Sequence, residues 1–160
     1  MKHRTESNGS KVNDWATPNY ILKSIEKEFG SFYDPCPLNA NFDGLSKENK
    51  WADVNYINPP YERKLKEQFI IRAYQESKNN KICIMLLPAS TDTKIFHDII
   101  VPNAEIRLIR GRIKFKGYNT KGIYVTGKSG QTGSMICIFG TNNKTIKAVN
   151  LKQDGAIKWI

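Results

Sequence analysis

Four consecutive residues, Asn58-Pro59-Pro60-Tyr61, carry the strongest chemical signal in the chain. An amine conjugated with an aromatic ring is a poor nucleophile, because its lone pair is shared with the ring. Two acceptors that take its two hydrogens localise that pair and point it at an incoming methyl group. Asn58 offers a side-chain amide oxygen for one hydrogen, and the main-chain carbonyl of Pro59 is available for the other. The consecutive prolines stiffen the backbone, so both acceptors are set before reaction begins. Tyr61 presents a flat face on which an extruded base can stack. The plainer reading of the same residues is a proline turn ahead of a helix, with Tyr61 as a rim aromatic.

Such acceptors need a rigid support. Val54 to Ile57 reads as a short strand ending on Asn58, and open α/β sheets collect ligands at the carboxyl ends of their strands. Upstream, Thr17-Pro18 writes a helix start, a capping hydroxyl followed by proline at the first helical position. Ile21, Leu22, Ile25 and Phe29 then share one helical face, and Gly30 ends it. Ser31 to Tyr33 predicts a short strand stopped by Asp34-Pro35-Cys36-Pro37, and residues 38–50 carry loop chemistry. Downstream, Leu65, Phe69, Ile70, Ala73 and Tyr74 define a second amphipathic helix. The unbroken apolar run Ile82 to Leu87 predicts a central strand covered on both faces. Thr91 or Asp92 is placed to cap a short helix through Ile95, Phe96, Ile99 and Ile100. From Glu105 the pattern turns to β, over Glu105 to Arg110, Arg112 to Phe115, Gly122 to Thr126 and Met135 to Phe139. Helices and strands in alternation, then a β-rich end, predict one α/β layered domain over residues 14–140 whose last strands are antiparallel. Residues 1–13 read as a flexible arm, and 141–160 as an extension packed on the same domain.

A chain of 160 residues can bury a core of its own without staples. Its 39% hydrophobic and 25% charged content is ordinary for a soluble protein. No apolar run reaches membrane-spanning length, and Met1 to Glu6 lacks the apolar stretch of a secretory signal, so a cytoplasmic protein without a membrane partner is expected. Cys36, Cys83 and Cys137 are far apart, odd in number, and distant from His3 and His97, which speaks against a metal site or a disulfide framework. The net charge of +10 is unevenly spread. Residues 1–80 hold 12 Lys/Arg against 11 Asp/Glu, and residues 81–160 hold 13 against 4. Arg107, Arg110, Arg112, Lys114, Lys116, Lys121 and Lys128 face a single acid, Glu105. A polyanion partner explains this concentration, since each neutralised phosphate releases counterions. An idle basic surface explains it equally well on charge alone.

Further blocks recur in a fixed order around Asn58: Asp14-Trp15-Ala16-Thr17-Pro18, then Asp34-Pro35-Cys36-Pro37. After Asn58 come Leu86 to Thr93 with Phe96-His97, and then Arg110-Gly111-Arg112-Ile113-Lys114-Phe115. Together with Asn58-Pro59-Pro60-Tyr61 they cover about residues 14–140, and in that combination the chain resembles the phage-type Dam-like DNA adenine N6-methyltransferase family. The resemblance implies a compact Rossmann-like α/β fold, with a mostly parallel sheet, antiparallel C-terminal strands and helices on both faces. It implies S-adenosylmethionine as methyl donor and double-stranded DNA as substrate, in a bacterial or phage-infected cell. Thr17 and Pro18, with Trp15 beside them, fall in the family's amino-terminal cofactor motif. Asp34, with Pro35, falls at the end of the first strand, where an acid faces the methionine end of the cofactor. A carboxylate suits a ligand that carries an ammonium and a sulfonium; the lesser alternative is that Asp34, an aspartate before proline, only forms a turn.

The chain departs from the general methyltransferase pattern in two ways. No glycine-rich loop follows Asp34, and about twenty residues separate the first strand from the one ending at Asn58, too few for the usual intervening strands. Asp43 and Asp53 are then the nearest acids for the cofactor's ribose, and Asp43 is favoured. Cys36 reads as packing and not as a nucleophile. His97 reads as bonding locally on its short helix, with a phosphate contact as the alternative. Arg110, Arg112 and Lys114 alternate with Ile113 and Phe115, which sends the charges outward toward DNA, Lys114 to phosphate and Arg112 to a base edge. Phe115 either packs in the core or forms a second wall for the base. The same Asn-Pro-Pro-Tyr chemistry could serve an RNA guanine or a protein glutamine, and a non-catalytic DNA-binding module of this fold is the reading from another class.

Overall fold

The structure, a computed structural model, describes residues 14–119, 121–130, 132–151 and 157–159. The arm expected over residues 1–13 lies outside the described residues. In chain order the elements are β1 (Asp14–Ala16), α1 (Asn19–Phe29), β2 (Val54–Ile57), α2 (Arg63–Ser77) and β3 (Ile82–Pro88). A π-type turn over Phe96–Ile100, continued by Val101–Asn103, leads to β4 (Ala104–Ile109), β5 (Lys114–Tyr118) and β6 (Tyr124–Ser129). The chain then runs through β7 (Ser134–Phe139), β8 (Ile146–Leu151) and β9 (Ile157–Trp159).

Six strands form the main sheet in the order β2-β3-β7-β4-β8-β9. Along β3 the five residues Cys83 to Leu87 are all buried, as the apolar run requires of a strand covered twice. Their side chains alternate between faces. Ile84 and Leu86 join Tyr56, Ile136 and Ile138 beneath Ile21 and Ile25 of α1. Cys83, Met85 and Leu87 join Ile57, Cys137 and Phe139 beneath Phe69, Ile70 and Ala73 of α2. Each such side chain contributes about 1.5–3 kcal/mol on burial, so the two helices clamp the sheet from opposite sides. All three cysteines are buried in these layers, and burial pushes the Cys83 thiol up to about 12.

The sheet is mixed, and its antiparallel strand is central, not confined to the C-terminal edge. β2 and β3 are parallel, as are β4 and β8, while β7 runs against both β3 and β4 between them. The reason is the route of the chain. β4 ends beside the start of β7, with Leu108 opposite Met135, and Ser134 pairs with Pro88 at the end of β3. The chain makes the β5–β6 hairpin at that end and returns from it, so β7 has to run back. β9 pairs antiparallel with β8, which brings Ile146–Leu151 and Ile157–Trp159 into the same sheet.

A second, three-stranded antiparallel sheet, β1-β5-β6, stands on the α1 side, where Trp15, Ile113 and Phe115 join the α1 layer of the core. Four local expectations need correction. The strand at Ser31 to Tyr33 shrinks to a single bridge, Tyr33 opposite Asn55. Thr17 does not cap α1: Pro18 is the N-cap and its carbonyl accepts from Ile21 and Leu22, because the Thr17 hydroxyl is bonded elsewhere. Neither Thr91 nor Asp92 caps the short helix, whose N-cap is Ile95. Arg107 is not part of a surface patch. It is 3% exposed, and its guanidinium donates to Glu105 at 2.7 Å and to both oxygens of Glu28 at 2.6 and 2.7 Å, tying β4 to α1.

Candidate active site

Asn58 leaves the end of β2 with only 6% of its surface exposed. Its side-chain nitrogen donates to the main-chain carbonyl of Trp15 at 2.7 Å. A carbonyl only accepts, so the atom facing it has to be the amide nitrogen, and Oδ1 is turned the other way. That oxygen is buried and has no hydrogen-bond partner among the described residues. A buried acceptor without a donor costs about 1–3 kcal/mol, which an arriving N–H recovers. Trp15 itself is 8% exposed and paired with Gly117 of β5, so the carbonyl that holds Asn58 is fixed by a sheet.

Pro59 and Pro60 are buried, and the half-buried Tyr61 meets Phe115 edge-on, with ring centres 6.3 Å apart and planes at 89°. Phe115 is 2% exposed. It packs in the core, as one of its two expected placements requires, and buttresses Tyr61. Burial raises the Tyr61 phenol well above its ordinary value.

Tyr56, two residues before Asn58, is a buried polar contact beside the site that the sequence did not announce. Its hydroxyl lies 2.7 Å from the Thr17 hydroxyl. Burial raises this phenol far above its ordinary value; the Thr17 bond opposes the shift, and the nearby charges of Asp34 and Tyr61 add to it. Thr17, Asp34 and Tyr61 thus converge on Tyr56 at the end of the strand that carries Asn58. Tyr56 reads in sequence as one more apolar strand residue, and only its neighbours across the fold show otherwise.

The acids occupy ordered turns. Asp34 accepts from the Cys36 amide at 2.8 Å, and Asp43 from the Leu45 amide at 2.9 Å. The two turns touch through Gly44, where a Cβ would stand 1.8 Å from the Pro35 carbonyl oxygen, so this position admits only glycine. Trp51 closes the loop by donating to the Gly44 carbonyl at 2.9 Å. Arg72 of α2 donates to the carbonyls of Leu45 and Asn49.

The candidate DNA residues separate. Arg110, Gly111 and Arg112 form the turn between β4 and β5 instead of a strand, and Lys114 opens β5. The alternation survives nonetheless: Arg110, Arg112 and Lys114 are exposed while Ile113 and Phe115 are buried. Lys114 and Lys116 line a cleft of about 510 Å³ with Thr17, Tyr20 and Lys23 on one wall and Tyr124 on the other. A second cleft, of about 400 Å³, lies between α2 and the segment after β3, lined by Lys66, Pro88, Ser90 and Thr93 among others. His97 is bonded locally, its ring nitrogen 2.8 Å from the Thr91 carbonyl.

Residues 4–158 match the family model described as DNA N-6-adenine-methyltransferase (Dam). The chain belongs to the Dam family. No curated protein matches it. Dam-family membership makes the chain a DNA adenine N6-methyltransferase that uses S-adenosylmethionine, and it decides for DNA over RNA or protein and for an enzyme over a binding module. The buried Asn58 oxygen, unpartnered among the described residues, fits that reaction, since the amine of an extruded adenine is a donor that has lost the thymine oxygen it was paired with. The donor set is compatible with a cationic cofactor as well: Asp34 is a carboxylate whose charge is felt at Tyr56, and the Tyr56 hydroxyl is bonded to Thr17.

Proposed function

We propose that Asn58 Oδ1 and the Pro59 carbonyl accept the two hydrogens of an adenine amine turned out of double-stranded DNA, in a compact Rossmann-like methyltransferase fold. The observation that carries this reading is the Asn58 amide, bonded through its nitrogen and left with a buried acceptor. Accepting hydrogen bonds from the amine withdraws its lone pair from the ring and directs it away from the two acceptors, toward the incoming methyl group. Tyr61, held edge-on by Phe115, offers its face to the extruded base. S-adenosylmethionine supplies an electrophilic methyl group on a sulfonium. Trp15, Thr17, Pro18, Asp34, Pro35 and Asp43 form its seat, with Asp34 toward the ammonium and Asp43 toward the ribose. Arg110 and Arg112 extend the DNA contact beyond Lys114, and the enzyme acts in the cytoplasm, where DNA is accessible.

The test is transfer of a labelled methyl group to unmethylated duplex DNA by Asn58→Ala. Removing an acceptor that acts only in the chemical step lowers turnover by about 10²–10³-fold, with affinity for S-adenosylhomocysteine within about two-fold of wild type. A folded Asn58→Ala enzyme with turnover within a few-fold of wild type removes the assignment.

A further inference from the structure

Resting on the DNA reading above and deepening it, we propose that the cleft between the start of α1 and the β1-β5-β6 sheet is the seat of the DNA phosphodiester backbone, with Lys23, Lys114 and Lys116 as its phosphate ligands. Three separate segments build it. Lys114 and Lys116 stand on one face of β5, because their exposure alternates with the buried Phe115 and Gly117. The two lysines lie two residues apart across a bulge in the β5–β6 pairing between Phe115 and Gly117, roughly 6–7 Å along the strand, a spacing that lets the two ammonium groups serve neighbouring phosphates. Lys23 reaches the same space from α1, and its side chain is exposed.

Charge decides what the cleft can take. Among the described residues no Asp or Glu lines it, so three positive charges share about 510 Å³ without a counter-charge. Such a field opposes a cofactor that is net cationic, with a sulfonium and an ammonium against one carboxylate, and it attracts a polyanion more strongly. The carboxylate for the cofactor, Asp34, acts instead on Tyr56. Thr17 and Pro18, both assigned to the cofactor seat, also line the lysine cleft and form the boundary between the two regions, with the Thr17 hydroxyl bonded to Tyr56 on the cofactor side.

Position supports the same occupant. The cleft begins at Ala16 and Thr17, next to Trp15, whose carbonyl orients Asn58. A DNA backbone held there lies beside the acceptor that receives the extruded base. Tyr124 is 51% exposed on the far wall and is met edge-on by Tyr118 with ring centres 5.4 Å apart. A phenol so placed can donate to a phosphate oxygen or stack on a neighbouring base.

The experiment measures affinity for a labelled, unmethylated duplex across a salt titration, using wild type and Lys23→Gln, Lys114→Gln and Lys116→Gln. Each substitution is expected to lower the slope of log affinity against log salt by about 0.9. Binding is then roughly eight-fold weaker at 0.1 M salt, with the gap closing toward 1 M. Affinity for S-adenosylhomocysteine, read by calorimetry, stays that of wild type, and Lys→Arg at the same positions restores the slope. Lys27→Gln, in the last turn of α1 and outside the cleft, leaves the slope alone. Unchanged slopes in all three variants of a wild type that binds and methylates DNA overturn the cleft assignment and spare the DNA reading. Unchanged slopes with weaker S-adenosylhomocysteine binding overturn it in favour of a cofactor seat. A wild type without affinity for the duplex overturns both.

Discussion

The Asn58 amide is polarised by its surroundings: its nitrogen is spent on the Trp15 carbonyl at 2.7 Å, which leaves its buried oxygen without a donor among the described residues, the feature the proposed substrate contact rests on. Asp34 poses the contrasting problem, because it already has a structural partner in the Cys36 amide. The two roles separate on substitution. Asp34→Asn keeps an oxygen for the turn and removes the charge. If the carboxylate holds the cofactor ammonium, the variant binds S-adenosylhomocysteine about tenfold less tightly at an unaltered melting temperature, the loss of one charge-assisted hydrogen bond. Equal affinity in calorimetry makes Asp34 a turn residue only. Asn58 and Tyr61 stand out as candidates in the sequence because their side-chain types advertise an acceptor and a stacking face. Trp15 is legible as part of a motif but not in its role, since the group that orients Asn58 is a main-chain carbonyl, which every residue carries. Tyr56 stays hidden for a related reason: its neighbours Thr17 and Asp34 lie 39 and 22 positions away in the chain.

Among the elements, those with a strong local period are readable and those defined by distant pairing are not. α1, α2 and β3 follow from apolar spacing over 7 to 15 residues. β1 is three residues long and exists through its pairing with β5, about a hundred positions away, so nothing local marks it. The central place of β7 likewise depends on where the β5–β6 hairpin delivers the chain, and its apolar run specifies burial without direction. The loop that carries Asp43 is readable only as loop. Its shape comes from Gly44 pressed on Pro35, from Trp51 and from Arg72. Gly44→Ala therefore tests whether that shape serves the cofactor. Its Cβ meets backbone that cannot swing aside, so the loop has to shift, at a cost of about 1–3 kcal/mol in urea denaturation. With Asp43 on the cofactor, S-adenosylhomocysteine binding weakens as the loop moves, while duplex affinity holds. A destabilised variant with undiminished S-adenosylhomocysteine affinity takes Asp43 out of the site.

At the scale of the whole molecule, 25 Lys and Arg stand against 15 Asp and Glu, so acid that neutralises the carboxylates adds repulsion to an already positive chain. Few carboxylates matter more to this balance than Glu76 at the end of α2. It is buried, it accepts from Arg72 and Lys81 at 2.7 Å each, and those two cations also hold the carbonyls of Leu45, Asn49 and Trp51. One carboxylate thus joins α2, the Asp43 loop and the start of β3. Burial alone would raise its pKa; the bonds from Lys81 and Arg72 outweigh burial and leave it below the ordinary carboxylate value. A group depressed on folding stabilises fully above its unfolded pKa and loses that contribution as pH falls through the depressed folded one. The wild-type protein should therefore lose stability on going from pH 5 toward pH 3. Glu76→Gln leaves Arg72 and Lys81 facing a neutral amide, and should cost about 2 kcal/mol at pH 7. In acid the wild-type carboxyl is neutral as well, so the two urea midpoints should approach each other as pH falls. A difference between them that stays constant from pH 7 to pH 3 would show that Glu76 holds the fold by shape and not by charge.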